Sequence, residues 1–312
     1  MSLSEPGLPG RRLKILVAGF ITIDTIQLPT RQITSIGGPP CYAGLICSRF
    51  GFDTGVLTKV GNDFPDEQAV WLSRNGLTIG SECRSASKPT TRFEIERAGD
   101  ARQLTLVSRC EDIMAAQLKD TRYDAALVSP IAGEVSPGLL AEISARSDFT
   151  FLDPQGFVRK FDGAGRVTVS ELRDKSILLK VDALKMDREE AHSLTGKAEP
   201  TAALRKLAGL GVRKALVTSG SGVCNILDGG RVYSVSVPQV QVLDSTGAGD
   251  IMAGSIISVY LKTRDFLWSA CFGIAASSLS LHLIALAKVD LPMSVDEQAK
   301  RLYSLASPVP AA

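Results

Sequence analysis

The chain has 312 residues, 45% hydrophobic and 22% charged, with a formal net charge of +2. That is the composition of an ordinary soluble globular protein, long enough for a large α/β core. A charge so near neutral, with no basic block beyond Arg11-Arg12, argues against a nucleic-acid binder driven by phosphate neutralisation. Six cysteines without a C-x-x-C pair, and only His192 and His282 beside them, leave no set for a zinc centre; they read as buried, reduced thiols of a cytoplasmic protein.

In chain order, residues 1–12 are rich in Ser, Pro and Gly, lack the apolar core of a signal peptide, and are expected to be a disordered leader. The run 14–20 (KILVAGF) predicts a first central strand. A helix over 40–50 follows the Gly37-Gly38 turn, then a strand over 53–59 and a helix over 65–75, with Pro near its start and Gly76 past its end. Segments 91–97 and 102–108 flank Ala98-Gly99-Asp100-Ala101 as a hairpin. Its alternation leaves one face exposed or covering a ligand. Strands over 125–129, 149–152, 214–218, 223–227 and 231–235 are then interspersed with helices over 137–145, 188–194 and 201–207. Helices from about 248 and about 265 are expected to close the fold. Such alternation predicts a mostly parallel sheet with helices on both faces. Residues 266–287 carry no Asp, Glu, Lys or Arg and are long enough to span a bilayer. Ser269, Ser277, Ser278, Ser280 and His282 favour a buried core helix instead, and no membrane partner is expected.

The richest stretch is Asp244-Ser-Thr-Gly-Ala-Gly-Asp250, running straight into Ile251-Met252-Ala253-Gly254. It reads either as a tight turn with a capping acid or as a helix start built for an anion, with Gly247 and Gly249 allowing close backbone approach and Asp250 placed to take a proton. Gly37-Gly38-Pro39-Pro40 is either a turn or bare backbone for a polyhydroxylated ligand. Asp24, just past the first strand, is either a solvated loop acid or an acceptor of ligand hydroxyl hydrogen bonds. Asp187 and Glu190 share a helical face, and either hold Mg²⁺ near phosphate oxygens or only stabilise the first turn of a helix. Residues 217–222 end a strand in small residues that could cradle nucleotide phosphates, without the G-K-[ST] of a Walker A loop. With no G-x-S-x-G, no H-E-x-x-H and few histidines, acid–base work falls to carboxylates, lysines or tyrosines.

Together these pieces resemble the ribokinase-like, or PfkB, family of carbohydrate kinases, in order from Ile15 to about Pro292. The 244–250 stretch is similar to that family's C-terminal signature almost residue for residue. Gly37-Gly38 with the helix ending Ser48-Arg-Phe-Gly51 is similar to its N-terminal signature, and Lys59-Val-Gly-Asn-Asp63 to the turn after its second strand. The resemblance implies one domain over 1–312, a ribokinase-like three-layer α/β sandwich, with a β-sheet lid from insertions at about 21–35 and 89–108. It implies an ATP- and Mg²⁺-dependent kinase of a small polyol (sugar, cyclitol or nucleoside), monomeric or dimeric through the lid. Asp250 would be the general base and Gly247, Ala248 and Gly249 the anion hole, while Asp24, Gly37 and Gly38 would hold the acceptor. Thr218, Ser219, Gly220, Gly222, Thr246 and Asp187 would bind the nucleotide. Glu190 would orient Mg²⁺ through water, with Asp187 as a further metal ligand and Asp244 as a ligand for a monovalent cation such as K⁺.

Two departures refine this. Asp187-x-x-Glu190 replaces the family's N-x-x-E, and Cys41-Tyr42 stands where an Asn often contacts ribose. Gly-Gly-Pro-Pro-Cys-Tyr-Ala, with Asp153-Pro-Gln-Gly-Phe-Val-Arg159, is more similar to a branch that includes inositol and nucleoside kinases, which makes Gln155 and Arg159 substrate-site candidates. Two other functions compete: a sugar-phosphate kinase using Arg31, Arg92, Arg97, Arg102 and Arg109, and a catalytically idle sensor or assembly subunit.

Overall fold

Strand Lys14–Ala18 sends Ile15 and Val17 into one apolar layer and Leu16 and Ala18 into the other, so both faces of the sheet around it are covered. The structure is a computed structural model and describes residues 11–28, 31–98, 101–220, 222–237 and 239–310, without the side chains of 97, 98, 101 and 102. Ten of the twelve residues assigned to a leader therefore lie outside the described residues, as does the tip of the 91–108 hairpin.

Among the described residues the large sheet has nine strands. From the edge strand Asp53–Leu57 it runs through Lys14–Ala18, Ala125–Val128, Thr150–Leu152, Ala183–Asp187 and Lys214–Thr218, all parallel. Val223–Asp228, Arg231–Ser236 and Ser307–Pro308 then extend it antiparallel. Helices Pro39–Arg49, Ala248–Thr263 and Phe266–Ser280 pack on the Ile15 face, and Pro137–Ala145, Arg188–Thr195 and Pro200–Gly209 on the Leu16 face. This is the mostly parallel, helix-covered sheet that the alternation predicts. Phe266–Ser280 is buried around nearly its whole circumference, which explains its lack of charge. No helix among the described residues is long and apolar enough to cross a membrane.

Two readings need correction. The helices at 248 and 265 do not close the fold, because helix Ser294–Leu305 and strand Ser307–Pro308 follow and finish the sheet edge. Strand Ala183–Asp187 goes unread because Lys185 interrupts the short apolar run Ala183-Leu-Lys-Met186. In water-facing sequence that charge would break a strand pattern; here it has a buried partner.

A separate four-stranded sheet has the order Gln32–Gly37, Thr22–Gln27, Thr91–Ala98, Ala101–Ser108. Phe93 and Ile95 are buried while Glu94 and Glu96 are exposed, the period-2 pattern of a sheet with one covered face. It occupies the segments expected of the lid insertions. Asp63 ties its root to the body, since its Oδ1 accepts from Thr90 N–H at 2.7 Å and its Oδ2 pairs with Arg92 at 2.7 Å.

Candidate active site

Chain order reverses at Lys14–Ala18: the next strand of the large sheet, Asp53–Leu57, pairs on one side, and Ala125–Val128, which follows in the chain, on the other. In open parallel sheets the crevice outside the carboxyl ends at such a point is where ligands bind. A cleft of about 190 Å³ lies there, lined by Asp24, Gly38, Tyr42, Gly247, Gly249 and Asp250. Phe93, Ile95 and Leu104 of the four-stranded sheet also line it. A larger hollow of about 370 Å³, bordered by Ile46, Phe50, Phe272 and Val295, holds none of these groups.

Two glycines let the helices meet at the cleft. Gly38 caps Pro39–Arg49 at φ +84°, and a Cβ there would lie 2.1 Å from the Phe20 carbonyl oxygen. Gly247 caps Ala248–Thr263 at φ +73°, and a Cβ there would lie 2.5 Å from the Tyr42 ring. The two helices approach closely farther along, where a Cβ on Gly254 would lie 2.7 Å from Ala43 Cα. Tyr42 is thereby pressed against the 244–250 loop, with its hydroxyl buried and without a protein partner among the described residues; Thr22 Oγ1, which also lines the cleft, shares that condition. Asp250 sits half-buried in the first helical turn, where the macrodipole favours its charge. The Ala248 N–H already makes a long 3.3 Å bond to the Ser245 carbonyl.

Behind the loop is a buried ion pair. Lys185 Nζ lies 2.6 Å from Asp153 Oδ2, with side chains 8% and 0% exposed, and a Cβ on Gly249 would lie 3.1 Å from that Nζ. Burial alone would lower the Lys185 ammonium, but the charges of Asp153 and Glu190 hold it above its ordinary value. Asp187 and Glu190 form a reciprocal capping box: Glu190 Oε2 accepts the Asp187 N–H and Asp187 Oδ1 the Glu190 N–H, each at 2.8 Å. Glu190 is buried and Asp187 exposed. Burial, then the charges of Asp153 and Asp187, push the Glu190 carboxyl up to about 8. Among the described residues no group of three or more His, Cys, Asp or Glu side chains is placed to hold a metal ion. A protein cage is therefore not offered, whereas Mg²⁺ carried by phosphates and water needs only one or two carboxylates.

Asp244 is buried against Lys288. Burial would raise its carboxyl, but the Lys288 charge, 3.0 Å away, and the Thr246 N–H hold it below the ordinary range.

Of the residues picked from the sequence, the cleft brings together Asp24, Gly38, Gln155, Arg159, Asp187, Glu190, Thr246, Gly247, Gly249 and Asp250. Gly37 stands just behind, where a Cβ would meet Asp24 Oδ2 at 2.2 Å. Thr218, Ser219, Gly220 and Gly222 do not line it; they lie beyond the rim, where Thr218 pairs with Asp187 in the sheet register. Of the five arginines suggested for an anionic acceptor, Arg92 and Arg109 are engaged elsewhere. Arg31 is exposed, Arg92 pairs with Asp63, and Arg109 pairs with Asp112 and donates to the Ala132 carbonyl. None of these three lines the cleft, and the side chains of Arg97 and Arg102 lie outside the described residues. Sequence reasoning missed Thr22, Tyr42, Lys185, Asp153, Lys288 and Glu134. Buried Glu134 accepts the N–H groups of Phe20, Ile131 and Ala132 at 2.7–3.0 Å and so fixes two strand ends beside the cleft. The available signal was a lysine inside an apolar run, Ala183-Leu-Lys-Met186 and Ile284-Ala-Leu-Ala-Lys-Val289, since a buried ammonium requires a buried acid or carbonyls.

The profile of pfkB family carbohydrate kinases matches residues 24–284. An inositol 3-kinase of Oryza sativa subsp. japonica is 30% identical over 286 residues, covering 84% of this chain and 68% of its own. Among solved structures, a pyrophosphate-dependent kinase in the ribokinase family, complexed with a pyrophosphate analog and myo-inositol, has a TM-score of 0.76 at 21% identity, over 88% of this chain and 97% of its own. A double-mutant fructokinase from Vibrio cholerae, bound to fructose, ADP and potassium ion, also has a TM-score of 0.76, at 16% identity, over 92% of this chain and 98% of its own.

Proposed function

The chain belongs to the pfkB family of carbohydrate kinases and is a phosphotransferase with a hydroxyl group as acceptor; from that premise we propose that it transfers the γ-phosphoryl group of ATP to a hydroxyl of a small polyol, a cyclitol of the inositol type first among them. The observation that carries this reading is the composition of one small cleft. The buried hydroxyls of Thr22 and Tyr42, without protein partners among the described residues, the carboxylates of Asp24, Asp187, Glu190 and Asp250, and a glycine-lined helix start line the same 190 Å³. Sites for drug-sized ligands run to about 300–1,000 Å³, so this volume suits a single small ring.

In this reading Asp24, Thr22 and Tyr42 hold acceptor hydroxyls, with Gly37 and Gly38 bringing backbone close and Gln155 and Arg159 at the rim. Asp250 takes the proton of the attacking hydroxyl. The helix start at Gly247, Ala248 and Gly249, with Lys185 beneath, stabilises charge on the transferring group. Asp187, Thr246 and the loop from Thr218 to Gly222 bind the nucleotide. Mg²⁺ would be held by Glu190 through water and by Asp187, and would neutralise phosphate charge. The four-stranded sheet serves as a lid whose apolar inner face keeps water from the acceptor. The buried free thiols suit a reducing cytoplasm.

The placement of Arg31, Arg92 and Arg109 outside the cleft favours an uncharged acceptor over a sugar phosphate. A complete set of Asp250 and glycine loop favours an enzyme over an idle sensor. A coupled assay over sugars, inositols and nucleosides, with ATP and pyrophosphate as donors, tests the reading. Acceptor-stimulated turnover with ATP and a cyclitol is expected. Turnover with pyrophosphate alone would replace the donor, and none with any pair would favour the idle subunit.

The raised Glu190 carboxyl adds a proton-linked prediction. Its ionised form is disfavoured in the folded chain, so its contribution to stability is full below an ordinary carboxyl pKa of about 4.3 and is lost as pH rises towards about 8. A divalent cation at Glu190 reverses that preference. Binding of Mg²⁺ with ATP at pH 7 is expected to release up to about one proton, read by calorimetry in buffers of different ionisation enthalpy. Glu190→Gln should abolish the release, and equal heats in all buffers for the wild type would contradict the placement.

A further inference from the structure

Lys288 belongs to no motif picked out in the sequence, yet it is wholly buried and its ammonium meets three oxygens of the 244–246 turn. It donates to the Asp244 carbonyl at 2.6 Å and the Thr246 carbonyl at 2.7 Å, and lies 3.0 Å from the Asp244 carboxylate. Main-chain carbonyls and a carboxylate are the oxygen set that an alkali cation exchanges for its hydration shell. The family resemblance places such an ion at Asp244, but the residues of this chain do not fit one. Asp244 Oδ1 already accepts the Thr246 N–H at 2.8 Å, and Oδ2 the Ala285 N–H at 3.2 Å beside the ammonium. A second cation on the same oxygens would face Lys288 at contact distance.

The carbonyl directions matter for the cleft. In a trans peptide each C=O points opposite to the N–H of the next residue. With the Asp244 and Thr246 carbonyls turned to Lys288, the N–H groups of Ser245 and Gly247 point the other way, and both residues line the cleft. Lys288 itself is carried on the Ala285–Val289 turn, whose Ala285 holds φ +50°, uncommon without glycine, where its N–H reaches Asp244.

We infer that Lys288 is a resident cation: its ammonium fixes the 244–247 loop as a bound alkali ion would, and the chain works without K⁺. It is a positioning residue acting through the loop, and its catalytic consequence rests on the reading of that loop as the anion-binding element.

Wild-type turnover and melting temperature in KCl, NaCl and choline chloride at equal ionic strength are expected to agree, turnover within about twofold. Lys288→Ala leaves Asp244 uncompensated and makes room for an ion. It is expected to lose about 10²-fold in kcat with little change in KM for the acceptor, to melt lower, and to regain part of both in KCl but not in choline chloride. Lys288→Met fills the space without charge and should lose kcat with no gain from KCl. A wild type that KCl stimulates or stabilises over choline chloride, or a Lys288→Ala enzyme with wild-type kcat, overturns the inference. The wild-type melting curves need neither turnover nor a folded variant, so they separate failure of this inference from failure of the kinase reading.

Discussion

Asp250→Asn is expected to lower kcat by about 10²–10⁴-fold with little change in KM for either substrate. Asn keeps the size and the first-turn position of Asp250 and removes its negative charge and with it the capacity to accept a proton. At about 1.4 kcal/mol per decade the loss corresponds to roughly 3–5 kcal/mol of transition-state stabilisation. The fold should survive, because Asp250 is half-buried at the start of a helix whose packing rests on the apolar residues after it. An unchanged melting temperature beside the lost kcat separates a missing base from a damaged helix. A variant that turns over like the wild type would show that Asp250 only complements the helix dipole, an effect of about 0.3–1 kcal/mol.

Lys185→Met has the second large effect, on stability as well as rate. It strands Asp153, whose side chain is fully buried, against an apolar group. Removing one partner of a buried pair costs about 3–5 kcal/mol, enough to shift the denaturation midpoint plainly. Replacing both, as Lys185→Met with Asp153→Leu, is expected to restore much of that stability, since a buried pair exchanged for apolar side chains is often neutral. Activity should not return with it, because the positive charge beside Gly249 is still missing. If the double variant recovers both, Lys185 is only a structural partner of Asp153.

The parts of this molecule that repeat locally were legible from residues alone. The period-2 alternation of Thr91–Ala98 and the proline and glycine punctuation of Asp66–Arg74 were read close to their observed bounds. The glycine loop and the Asp187–Glu190 pair were visible for the same reason: short-range geometry set by neighbours in sequence. What stayed hidden depends on distant partners. Tyr42 reaches Gly247 only because two helices pack closely at Gly254, and Lys185 and Lys288 make sense only once Asp153 and the Asp244 turn lie beside them. The arginines of the 91–109 region were suggestive by composition, but Arg92 and Arg109 have nearer carboxylates at the sheet's root.

The most direct test of the central reading is a ³¹P NMR spectrum of the wild-type protein incubated with ATP, Mg²⁺ and myo-inositol, beside the same mixture with Asp250→Asn. The proposed chemistry predicts a new phosphomonoester resonance with the wild type, growing as the γ-phosphate signal declines, and none on that timescale with the variant. A wild-type spectrum showing only ATP, or only inorganic phosphate and ADP, would contradict transfer to a cyclitol hydroxyl at this cleft.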